Sequence, residues 1–164
     1  MVLESEPIVR ILAEIDEEHK AVTTLIATMS IDQLSARKRG QWSAIDLLAH
    51  LTVWQAHAVT IARQQAAPDA PMLDPAVGPS RVLSIETDTH NMETLAAHRD
   101  LTLDRVLAWY NQVHADLRSA LTVLSSERLL GGPGPHGAQM WYARPALLHS
   151  RDHRREFQER LARI

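Results

Sequence analysis

At 164 residues, 45% apolar and 23% charged, the chain has the size and balance of one globular domain around a single core, which excludes a disordered protein. A net charge of −3 offers no basic patch for nucleic acid, and the absence of cysteine excludes disulfides, thiolate metal sites and a cysteine nucleophile. No apolar run approaches the roughly 18 residues of a membrane span, and Met1 to Arg10 carries Glu4 and Glu6 in place of a signal peptide's apolar core. A cytoplasmic protein with neither membrane nor nucleic-acid partners is expected.

The first helix is predicted from about Glu6 to Met29, with Pro7 in its first turn. Ile8, Ile11, Leu12, Ile15, Val22, Leu25, Ile26 and Met29 recur at helical spacing. Glu14, Asp16, Glu17 and Glu18 fall between them and are expected on a solvated face. Arg37 to Gly40 reads as a basic connector. Ser43, with Asp46 three residues on, is a Ser-x-x-Asp capping box that opens a second helix running to about Gln65.

Pro68, Pro71, Pro75, Gly78 and Pro79 prevent helix beyond that point. The connection to about Thr87 is on the order of 20 residues, far longer than a tight antiparallel turn needs, and long enough to cross back along a bundle. A third helix is predicted from Asp88 to Leu124 with a break near Arg99–Thr102. Its core positions are Leu103, Val106, Leu107, Tyr110, Val113, Leu117, Leu121 and Leu124. Residues 131–137, rich in glycine and proline, read as a loop, and the last helix begins near Pro145 and runs to the C-terminus. No stretch alternates like a strand, so the expected class is all-α, a single domain over residues 1–164.

Nine histidines are many for this length. His149 and His153 stand four apart, which puts both imidazoles on one helical face, the spacing by which a helix offers two nitrogens to one metal ion. On a helical wheel His153, Phe157 and Leu161 lie about 40°, 80° and 120° from His149, so the pair borders the core-facing stripe along with Ile164. Arg151, Arg155 and Arg163 fall on another face and read as solvated. His50 shares a seam of the second helix with Leu47, Trp54, His57 and Ile61. An inward imidazole needs a partner, because an unsatisfied buried polar group costs about 1–3 kcal/mol. Three inward histidines can meet that need through one metal ion or by pairing with neighbours. Among the others (19, 57, 90, 98, 114 and 136), read as surface or simple core residues, His57 is the next candidate.

Trp42-Ser43-Ala44-Ile45-Asp46-Leu47-Leu48-Ala49-His50-Leu51 resembles the second-helix signature of DinB-like proteins, and His149-Ser150-Arg151-Asp152-His153-Arg154 resembles their last-helix pattern. Asn91 to Leu117 is similar to the ClbS/DfsB branch, although His153-Arg154 stands where that branch commonly has His-Tyr. The resemblance implies a four-helix bundle (DinB/YfiT-like) with a long crossover between helices 2 and 3, often dimeric. It also implies His50, His149 and His153 as ligands of a divalent transition metal, zinc first and nickel second. Similar depth of His50 and of His149/His153 in their helices is simplest if helices 2 and 4 run parallel, an antiparallel pair would need an axial offset, and the sequence does not decide between them.

A three-histidine site with open positions has the donor set of a catalytic zinc. Three functions follow: a metal-dependent hydrolase or low-molecular-weight-thiol transferase acting on a reactive small molecule; a ClbS-like protein that sequesters such a molecule without turnover; or an interaction bundle whose histidines satisfy one another. Glu156 is a candidate acid or base, read alternatively as a surface carboxylate near Arg155 and Arg160. Trp54, Trp141 and Tyr142 are candidate pocket walls or core.

Overall fold

A computed structural model describes residues 6–37, 42–73, 83–130 and 144–162. Its helices are α1 (Glu6–Thr28), α2 (Ile31–Ser35), α3 (Ala44–Gln65), α4 (Thr87–His98), α5 (Leu103–Thr122), α6 (Ser126–Leu130) and α7 (His149–Leu161), with a π-helical turn, Arg144–Leu148, leading into α7. There is no strand among the described residues, and the all-α expectation holds. The basic connector at Lys38–Gly40, the loop at residues 131–137, Trp141, Tyr142, His136, Arg163 and Ile164 lie outside the described residues.

Helix boundaries follow their caps. Ser43 accepts from the Asp46 amide at 3.0 Å while Asp46 accepts from the Ser43 amide at 2.8 Å, closing the predicted capping box of α3. Arg37 adds two bonds of 2.8 Å to the same carboxylate. The sequence reading missed α2. It is opened by a second capping box, in which the Ser30 amide donates to Gln33 Oε1 at 2.8 Å and the Gln33 amide donates to Ser30 Oγ at 3.2 Å. Glu86 caps α4 through the amides of Asp88 and Thr89.

The predicted third helix is two. Thr102 starts α5 by accepting from the Arg105 amide, and the chain reverses between His98 and Leu103. Trp54 pairs with Asn91 and His57 with His90, while Thr94, Leu95 and His98 face Trp42, Asp46, Ala49 and His50, so α4 runs antiparallel to α3. The return leg of the crossover is therefore partly helical.

α5 then runs parallel to α3. Leu47, Leu48 and Leu51 share a cluster with Val106 and Tyr110, and Ala58, Ile61 and Ala62 share another with Val113, Leu117 and Leu121. α1 is antiparallel to both, with Ile11 and Ile15 in the second cluster and Val22, Ile26 and Met29 in the first. α1, α3, α5 and α7 form the four-helix bundle, and α4 lies against α3 outside it.

Residue pairs also fix the direction of α7. Arg160 reaches the carbonyls of Ala36 and Trp42, His149 meets His50, and Ser150 meets Gln55. Numbers rise on one helix as they fall on the other, so α3 and α7 are antiparallel, the arrangement that needs an axial offset between them. The reconciling offset comes from the π-helical turn. Its Ala146 and Leu147 occupy the level of Ala58 to Ala62, which leaves His149 and His153 level with His50.

Candidate metal centre

His50 enters from the first half of α3, one turn after the capped Asp46, and is 5% exposed. His149 opens α7 and His153 follows one turn later, its side chain 17% exposed. His50 Nε2 and His149 Nε2 are 3.0 Å apart, and so are His153 Nε2 and His149 Nε2. One ring nitrogen from each of the three lies within 4.8 Å of the others. The three predicted histidines are thus brought together, and they line a cleft of about 760 Å³.

The donor set fits a metal ion. Two nitrogens about 2.05 Å from one ion are about 2.9 Å apart at a right angle and about 3.3 Å apart at a tetrahedral one, which brackets the observed 3.0 Å. Hydrogen bonds alone serve the cluster poorly. His149 Nε2 carries either one proton or one lone pair in the ring plane, yet it faces two nitrogens at equal distance, so at most one good N–H···N bond can form.

The tautomer of His153 is set from outside. Its Nδ1 lies 2.7 Å from Glu156 Oε1, so Nδ1–H donates to the carboxylate and Nε2 keeps its lone pair toward the centre. Glu156, read from sequence as an acid, a base or a surface carboxylate, is 46% exposed and holds the His153 ring. Burial pushes the pKa of His50 down to about 3, with further lowering from His149 and His153, so this imidazole is neutral and ligand-competent at pH 7. The ring packs T-shaped against Trp42, with centroids 4.7 Å apart.

Behind the histidines lies a polar layer that the sequence reading missed. Gln55 Nε2 donates to Ser150 Oγ at 3.3 Å, tying the residue after His149 to α3. The Tyr110 hydroxyl lies beside both, and burial pushes its pKa up to about 12. Glu18, expected on a solvated face, is 4% exposed, a correction with a simple cause. It sits between Ile15 and Val22 on the core stripe of α1, where its oxygens meet Arg154 Nε at 3.4 Å and Arg151 Nε at 3.7 Å. Burial raises the pKa of this carboxyl, and the two guanidiniums oppose the rise. Arg151, expected to be solvated, is therefore engaged with α1 while remaining 46% exposed.

The cleft wall combines Trp42 and Leu47 with Asp32, Gln33, Asn91, Glu156, Glu159 and Arg160. Arg160 spans the mouth between α7 and the segment before α3, donating to the backbone carbonyls of Ala36 and Trp42. Trp54 does not line the cleft. It is 8% exposed, and its indole N–H donates to Asn91 Oδ1 at 3.1 Å. No helix among the described residues is long and apolar enough to cross a membrane.

No match was found among curated proteins or among solved structures. The sequence does match the family model of the DinB superfamily over residues 14–157, a span that holds all three histidines, the whole of α3 and α5 and most of α1 and α7, and the chain belongs to that superfamily.

Proposed function

We propose that the chain is a metal-dependent enzyme of the DinB superfamily that acts on a reactive small molecule, as a hydrolase or as a low-molecular-weight-thiol transferase. The observation that carries the reading is the convergence of three Nε2 atoms on the wall of a substrate-sized cleft. His50, His149 and His153 would hold the ion, zinc first and nickel second, and three ligands leave coordination positions directed at the cleft. A metal held there would supply Lewis acidity to a water, thiol or carbonyl oxygen placed in the cleft.

The surrounding residues have distinct tasks. Glu156 holds His153 with its lone pair inward, and Arg37 and Ser43 hold Asp46 one turn before His50. Trp42 and Leu47 present an apolar surface beside the ligands, while Asn91 and Gln33 offer neutral polar groups for orienting a substrate. A chain without cysteine suits a thiol transferase only if the thiol comes from a small cofactor. A homodimer and a cytoplasmic location, expected from the resemblance and the sequence, belong to the same proposal.

Elemental analysis of protein purified without a histidine tag tests the reading, with wild type beside His149→Ala/His153→Ala. About one equivalent of zinc in the wild type, lost in the variant, supports it and directs screening to ester and amide hydrolysis and to thiol transfer. No zinc in either, even after incubation with the ion, refutes the enzyme as proposed and leaves sequestration of a small molecule.

A further inference from the structure

The helix α4 is anchored mainly by polar contacts. Thr94 is its one buried residue, and Met92 is 61% exposed. The Trp54–Asn91 bond joins it to α3, and beside that bond the Nε2 atoms of His57 and His90 lie 2.9 Å apart. The two rings are tilted by 46°, with centroids 5.0 Å apart. We propose that His57 and His90 form a second transition-metal site, separate from the three-histidine centre, that takes a copper(II) or nickel(II) ion and staples α4 to α3.

The separation suits two adjacent ligands of one ion. Two nitrogens about 2.05 Å from a metal are about 2.9 Å apart when they are adjacent ligands at a right angle, as in tetragonal copper(II) and nickel(II), and tetrahedral zinc would spread them to about 3.3 Å. Both imidazoles are half-buried, so the other coordination positions open to water. Burial, with His90 as the next cause, lowers the pKa of His57, which keeps its ring neutral at pH 7. Trp54 stands between the two centres, its ring 5.4 Å from His57, 5.7 Å from His90 and 6.5 Å from both His50 and His149. Asn91, adjacent to His90, lines the cleft of the first centre, so an ion in the second would fix one wall of the first.

The test uses the full chain carrying His149→Ala/His153→Ala, which removes the first centre, titrated with copper(II) and followed by electron paramagnetic resonance. The expected result is one copper per chain with coupling to two nitrogens. Its affinity should fall at least about 100-fold on adding His90→Gln, beyond the range for loss of an outer-shell partner. No copper bound, or copper bound equally well with His57→Gln or His90→Gln, overturns the proposal. Should the starting variant fail to fold by circular dichroism, wild type preloaded with one equivalent of zinc replaces it. A second, copper equivalent that His90→Gln abolishes is then expected, and its absence is equally decisive.

Discussion

Glu156→Ala probes the three-histidine centre without touching a ligand. The carboxylate accepts from His153 Nδ1 at 2.7 Å, a charge-assisted bond, and it is 46% exposed. Loss of such an outer-shell partner weakens metal binding by roughly 10–100-fold, and solvent access to Glu156 places the effect near the lower end, about tenfold or ~1.4 kcal/mol. Glu156→Gln keeps an oxygen acceptor without the charge and is expected to lose only about threefold, since charge assistance roughly doubles such a bond. Competition for zinc against a chromophoric chelator at neutral pH measures both. Without metal, unfolding by urea should change by no more than about 0.5 kcal/mol, as for a surface substitution. Wild-type affinity in Glu156→Ala would refute the claim that this carboxylate sets the His153 ring. A loss as large as that of His153→Ala would refute it in the other direction, by making Glu156 a ligand itself.

Asp46→Ala removes the carboxylate half of the α3 capping box and the partner of Arg37, and is expected to destabilise the chain by about 1–2 kcal/mol in urea unfolding, with Asp46→Asn recovering part of the box. Phe157→Ala empties a fully buried site between the ligand-bearing helices and should cost about 3–5 kcal/mol, read by thermal or urea unfolding. The pKa of His19 is lowered to about 4 by burial and then by His114, against an ordinary value of 6.5. Its contribution is therefore whole above pH 6.5 and lost as pH falls toward 4. Allowing for partial exposure, unfolding free energy should drop by about 2 kcal/mol over that window. A pH series of urea melts should show this loss in wild type and a flatter profile in His19→Gln.

Much of this architecture was legible because one signal fixed each part. The Ser43/Asp46 box marked the start of α3, and the prolines after Gln65 marked its end. Helical periodicity found Ile11, Ile15, Val22, Val106, Tyr110 and Leu117, all of them buried. The three histidines were legible from spacing, wheel position and resemblance together, and their nitrogens do converge.

What stayed illegible depended on register and tertiary pairing. The antiparallel sense of α3 and α7 rests on an offset supplied by a π-helical turn, and no local residue pattern announces such a turn. Glu18 was misplaced because a carboxylate among other acids reads as solvated, although its position between Ile15 and Val22 already put it on the core stripe. Ser30-x-x-Gln33 is a capping-box pattern and the one local signal of so short a helix as α2. The His57–His90 pairing joins helices across the crossover, where sequence spacing carries no information.

The histidines that meet at the centre are 99 residues apart in the chain, His50 early and His149 late. At a synthesis rate of about 5–20 residues per second, His50 leaves the ribosome roughly 5–20 seconds before its first partner. Throughout that interval the nascent chain offers the centre only His50, and the trio arises when α7 docks. An ion held by the three histidines, as proposed, would therefore add to the stability of complete chains alone.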